Sequence, residues 1–210
     1  MGVNADPQPP GAANDADPRG ESLLGRGQIT DVQPIAEVGR EEPELAPVHR
    51  FTVRVFLDGV EPFEARCRQA VPAALVSQLA SGQRAVAVRV DPRDRTVITL
   101  DLDVEPPTVQ LPASAPSGSA SEIIATGRVA QVTIVQSSPT GLRSAAGVDL
   151  HSFVLTVTLE GQAPYQCQTA QPVPPEAVGL IYPGATLPAF VATNNDGAVA
   201  IHWDSQLARS

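Results

Sequence analysis

Residues 49–57 alternate apolar and polar side chains. Phe51, Val53, Val55 and Leu57 share one parity; Arg50, Thr52, Arg54 and Phe56 share the other. Successive side chains leave a strand on opposite faces, so this pattern predicts a half-buried strand. A second run, 151–159, repeats it with Phe153, Leu155, Val157 and Leu159. Asp58-Gly59 follows the first run and Glu160-Gly161 the second. Glycine there accepts the positive φ of a tight hairpin turn. Further strands are predicted at 63–70 and 165–170, at 83–90 with Val86, Val88 and Val90 alternating, and at 96–101 and 198–203. Before each of the two runs, 27–32 and 127–134 read as a first strand, with a long polar loop after it. Between the third and fourth strands lies a short helical stretch. Pro72 suits its first turn, with Leu75, Val76 and Leu79 on one face; Pro174-Pro175 with Ala177, Val178 and Ile181 is the counterpart, weakened by Gly179.

The two halves align along their length. Gly27-Gln28-Ile29-Thr30-Asp31-Val32 matches Gly127-Arg128-Val129-Ala130-Gln131-Val132. His49-Arg50-Phe51 matches His151-Ser152-Phe153, Val71-Pro72 matches Val173-Pro174, and Gly82 matches Gly184. Strand, strand, strand, short helix, strand, strand is the connectivity of an OB-like barrel. The predicted fold is therefore all-β with one short helix per repeat: two tandem five-stranded OB-like barrels. Copy one spans 25–103 and copy two 124–204. Residues 1–24 are rich in Pro, Gly, Asn, Asp and Ala and read as a disordered tail. Residues 104–123 read as a flexible Pro/Ser-rich linker, and 205–210 as a short tail.

Composition narrows the function. The net charge is −9 and aromatics make up only 4%. An acidic chain of this kind argues against broad nucleic-acid or membrane-surface binding, which needs basic surface. All 14 basic residues are arginine, so Schiff-base, pyridoxal and P-loop lysine chemistry are excluded. No apolar stretch reaches the ~20 residues that span a bilayer. The N-terminal residues lack the basic start and apolar run of a secretory signal, so a cytoplasmic setting is expected.

The stretch from Gly82 to Asp103, GQRAVAVRVDPRDRTVITLDLD, resembles the ending of uncharacterised small β domains in high-GC bacterial proteins. Val71-Pro72 and Val173-Pro174 fit the same pattern, so the resemblance covers both copies. Copy two departs from it where Thr193-Asn194 stands in place of Asp91-Pro92. The resemblance implies a bacterial tandem of β-barrel modules and no catalytic residue.

Candidate chemistry is sparse. Gly25-Arg26-Gly27 lacks the third glycine of a dinucleotide loop, and no G-x-S-x-G elbow occurs. Cys67 and Cys167 lie on the inward parity of the third strands, as buried thiols do. His49 and His151 match across the repeat. Read functionally they serve an enzyme site between the copies; read plainly they are strand-entry residues, with no second ligand at metal spacing. No catalytic, metal or cofactor site is expected.

The sharpest asymmetry is in arginine: ten of the 14 fall in copy one and two in copy two. Arg50 and Arg54 share their parity with Phe56, and Arg66 and Arg68 share theirs with Glu64. The outer face of strands two and three is the usual ligand platform of OB folds. Arg50, Arg54, Phe56, Arg66 and Arg68 are thus the candidate ligand-binding residues, although an ordinary solvated face with ion pairs has the same composition. Copy two carries Ser152, Val154, Thr156, Gln166 and Gln168 instead. The leading expectation is a non-catalytic binding or scaffold protein that contacts a partner protein. The alternative is single-stranded nucleic-acid or anionic-ligand binding through copy one's arginine face.

Overall fold

The computed structural model describes residues 22–35, 47–81, 84–113 and 120–207. Most of the tail 1–24, the acidic loop residues Glu37, Glu41, Glu42 and Glu44, Gly82, and 208–210 lie outside the described residues.

Copy one contains β1 (Leu23–Pro34), β2 (Val48–Phe56), β3 (Phe63–Ala70), α1 (Ala73–Ala80), β4 (Ala85–Val90) and β5 (Ile98–Asp101). A two-residue strand, β6 (Val109–Gln110), and α2 (Ala120–Thr126) follow. Copy two contains β7 (Arg128–Arg143), β8 (Asp149–Leu159), β9 (Tyr165–Pro172), a 3-10 helix at Pro175–Leu180, β10 (Thr186–Ala192), β11 (Asn195–Ile201) and α3 (Trp203–Leu207). The sheets run β3-β2-β1-β4-β5 and β9-β8-β7-β10-β11, each antiparallel along this path. The chain is all-β with a short helix between the third and fourth strands of each copy, in two OB-like units. The second helix is a 3-10 turn because Pro174 and Pro175 open it and Gly179 interrupts it.

In both copies the first strand pairs with the second and the fourth, so it must bend. The register breaks between Ile29 and Asp31 in β1 and between Ile134 and Gln136 in β7. An extra residue at such a bulge sharpens the local bend. Ile29 pairs with Val53, and Ile134 with Leu155, the matching second-strand residue. In space Ile29 therefore corresponds to Ile134, not to Val129, and the first-strand sequence match is five residues out of step. Burial gives the reason: Ile29 is 3% exposed in its core, whereas Val129 is 75% exposed. Gly127 instead follows α2, where its N–H donates to the Ile123 carbonyl.

Each inward parity builds its own core. Phe51, Val53, Val55, Val88 and Val90 anchor copy one. Phe153, Leu155, Val157, Leu187 and Val191 anchor copy two, with Trp203 of α3 packed on Phe153 at 6.3 Å between ring centroids. Strand β11 thus ends at Ile201, and α3 occupies residues predicted as strand end and tail.

Among the described residues no backbone ladder joins β3 to β5 or β9 to β11. A glutamine side chain bridges each seam. Gln69 donates Nε2–H to the Leu100 carbonyl at 2.9 Å and accepts from the Leu100 N–H at 3.0 Å. Gln171 donates to the Val199 carbonyl at 2.8 Å and accepts from the Ile201 N–H at 2.9 Å. A carboxamide carries the same donor and acceptor as a peptide group, so it substitutes for the missing ladder.

Two connections differ from expectation. In copy two the predicted polar loop is a hairpin arm: β7 continues to Arg143, β8 starts at Asp149, and residues 144–148 turn between them. The stretch 104–123 also holds ordered elements, with β6 pairing in parallel to Leu142–Arg143 of the arm and α2 beginning at Ala120.

Candidate functional site

The face predicted to carry ligand lies on β2 and β3 of copy one. Their register sets Arg50 directly opposite Arg68, Thr52 opposite Arg66, and Arg54 opposite Glu64. All four arginines are exposed. Like charges placed directly across a sheet repel, at roughly 0.2–1 kcal/mol. Arg50 and Arg68 have no ion-pair partner among the described residues. Arg66 reaches Glu64 at 3.9 Å, with side chains 71% and 60% exposed. A contact that long and that solvated contributes little. Elsewhere in copy one Arg89 has a close carboxylate, Asp101, at 2.8 Å. Among the described residues, Arg50 and Arg68 thus lack a carboxylate partner.

Phe56 departs from the predicted platform. It holds the expected outward parity but is only 8% exposed. Its register partner on β1 is Arg26, whose own partner on β4 is the fully buried Ala87. Arg26 bonds to the carbonyls of Pro106 and Pro107. The guanidinium carbon of Arg54 sits 5.8 Å from the centre of the Phe56 ring, within cation–π reach. Phe56 therefore orients Arg54 and offers little free ring to a stacked base.

The matching face of copy two is uncharged. Ser152 stands opposite Ala170, Val154 opposite Gln168, and Thr156 opposite Gln166. Arg50 and Arg68 are thus replaced by Ser152 and Ala170 on the same scaffold.

The remaining candidates stay inside their barrels. His49 is buried, with Nδ1 3.0 Å from the Pro47 carbonyl and its ring beside Phe51. His151 stacks near Phe153, and its Nδ1 is buried without a partner. The two face equivalent glutamines, Gln69 and Gln171, across their own sheets. Cys67 and Cys167 are both free thiols. Burial pushes the Cys67 thiol up to about 11 and also raises that of Cys167, shifts that disfavour the thiolate form.

Among the described residues no three His, Cys, Asp or Glu side chains converge as a metal site would require. A groove of about 420 Å³ runs between α1 and the start of the inter-copy segment, lined by Leu75, Leu79, Val86, Asp103 and Glu105 among others. It includes none of the five predicted site residues. Among the described residues no helix is long and apolar enough to cross a membrane.

Sequence reasoning missed Gln69, Gln171 and Arg26. The glutamines carried a signal, since each stands two residues before the matched Val71 or Val173. Arg26 carried none, because its partners lie 80 and 81 residues away.

No family model and no curated protein matches the chain. Among solved structures it is similar to one titled "Structure and Conformational Change of a Replication Protein A Heterotrimer Bound to ssDNA", at 10% identity and a TM-score of 0.24. That match covers 93% of this chain and 53% of the other, about half its length. A likeness this low carries no argument about fold or ligand.

Proposed function

We propose that this chain is a non-catalytic binding protein, and that the outer β2–β3 face of copy one receives an acidic segment of a partner protein. The observation that carries this reading is the direct opposition of Arg50 and Arg68, both exposed and without a counter-ion among the described residues. Two guanidinium forks side by side favour carboxylates, which each accept two parallel N–H bonds. A repulsive pair of this kind lowers stability when empty and gains on binding an anion.

Carboxylates fit this face better than nucleic acid does. Single-strand binders combine basic grooves with exposed aromatic rings, and Phe56 is covered. The net charge of −9 repels any polyanion at long range. At ~0.1 M salt, however, charges more than about 10 Å apart are largely screened, so local arginines dominate a seated ligand.

The test is fluorescence anisotropy of the full chain with a labelled oligoglutamate peptide, alongside a labelled oligo-dT of equal charge. The peptide is expected to bind, with affinity falling with salt and at least about tenfold lower in the Arg50→Ser/Arg68→Ala double variant, as loss of charge-assisted bonds implies. Peptide affinity unchanged by the double substitution sinks the reading. Tighter, arginine-dependent binding of oligo-dT replaces it with the nucleic-acid alternative.

A further inference from the structure

We propose that the Pro106–Leu111 segment and Arg26 form a clasp that holds the two barrels as one body, with Arg26 as its lock and Gly141 as its seat. This inference is independent of what the arginine face binds.

Arg26 projects from the outer face of β1. Its Nε–H donates to the Pro107 carbonyl at 2.9 Å and its Nη2–H to the Pro106 carbonyl at 3.2 Å. Prolines have no N–H, so consecutive prolines present backbone acceptors without backbone donors. A planar fork takes two acceptors at once, which an ammonium on a flexible stem does not reproduce. Burial lowers the Arg26 pKa, and the charge of Glu105 works in the opposite direction.

The far side of the guanidinium belongs to copy two. Gly141, in the hairpin arm, has φ +71°, and a Cβ there would overlap the Arg26 guanidinium. The glycine therefore meets two demands: a positive φ and an open seat for the cation.

Beyond the prolines the strap is bonded on both sides. The Gly59 N–H donates to the Gln110 carbonyl at 3.0 Å, and the Gln110 N–H donates to Asp58 Oδ1 at 2.8 Å. These tie the strap to the β2–β3 turn of copy one. The Leu111 N–H donates to the Arg143 carbonyl at 2.8 Å, and Gln110 Nε2–H to the Ala145 carbonyl at 3.0 Å. These tie it to the arm of copy two. Val109 is 2% exposed and, with Phe56 and Ala87, is buried while belonging to neither barrel's core. The strap's polar contacts thus join the copies through a few residues.

The experiment is backbone ¹⁵N relaxation on the full chain, which reads the rotational correlation time of each barrel. The unaltered chain is expected to show one common value for the two barrels. Arg26→Ala and Gly141→Ala are each expected to give separate, shorter values, falling by up to about twofold because each barrel is roughly half of the tumbling mass. Arg26→Lys, which keeps the charge but not the fork, is expected to decouple the barrels as well. Core amide shifts report that each barrel remains folded, and Gly141→Ala carries the test should Arg26→Ala not fold. Separate values in the unaltered chain, or one unchanged common value in both alanine variants, overturn the clasp.

Discussion

The two barrels are the same solution to folding and different solutions at the surface. Both bend their first strand at one bulge position, both close their seam with a glutamine, and both place a histidine at the mouth of the second strand. On the outer face, Arg50 and Arg68 of copy one stand where copy two has Ser152 and Ala170. In copy two the hairpin of β7 and β8 extends into an arm that seats Arg26. Inward positions answer to one shared packing problem, which holds them alike. Outward positions are free to diverge, so function is to be sought in what differs between the copies.

The seam glutamines give the largest expected effect. Gln171 is 5% exposed, so Gln171→Leu leaves a buried carbonyl and a buried N–H without partners. That is expected to cost about 2–4 kcal/mol in urea unfolding. Gln69 is itself half-buried, but both of its partners belong to Leu100, which is 2% exposed, so Gln69→Leu is expected to cost a similar amount. A Gln69→Leu cost well below that of Gln171→Leu would contradict this and show that water enters the seam of copy one.

The next effect sharpens the contrast at one register position of the first strand. Gly27 pairs with Val55 and Val86, and Val132 pairs with Val157 and Leu187. A Cβ on Gly27 would lie 2.8 Å from Val53 Cγ1 and closer still to Val88. Gly27→Ala is expected to overpack copy one by about 1–3 kcal/mol. Val132→Ala is expected to leave a cavity of similar cost in copy two. Thermal melts of both variants check this, and a stabilised Gly27→Ala chain would contradict the packing account.

A smaller effect separates the two thiols by pH. Burial raises Cys67 from its ordinary 9.0 to about 11 in the folded chain. The folded state holds that proton more tightly, so the stabilisation is complete below pH 9 and is lost as pH rises towards 11. The loss is expected to be on the order of 1–2 kcal/mol, and Cys67→Ala removes it. Cys167 is raised in the same direction but is only half-buried, so Cys167→Ala is expected to leave most of the alkaline decline in place.

Much of this fold was legible in the sequence because its rules are local. The period of two from Phe51 to Leu57 and from Phe153 to Leu159 gave both second strands, and Asp58-Gly59 gave the turn. The misplaced first strand shows where local reasoning stops. A Gly-x-x-x-x-Val match cannot tell a strand residue from a helix terminator, and only pairing with Leu155 and Leu159 sets the register of β7. The arginine face was visible through parity, but the burial of Phe56 was not, because the segment that meets its β1 neighbour comes from some 50 residues further on. The arm of copy two was hidden for a similar reason: polar sequence reads as loop until a partner strand and a strap are there to hold it.

The central claim is that copy one's β2–β3 face is the working surface and copy two's is not. Chemical-shift mapping of the full chain with an oligoglutamate peptide at low salt tests it most directly. Shifts are expected at Arg50, Thr52, Arg54, Arg66 and Arg68, with β8 and β9 unmoved. Shifts centred on β8–β9, or no saturable change at the five copy-one residues, would contradict it.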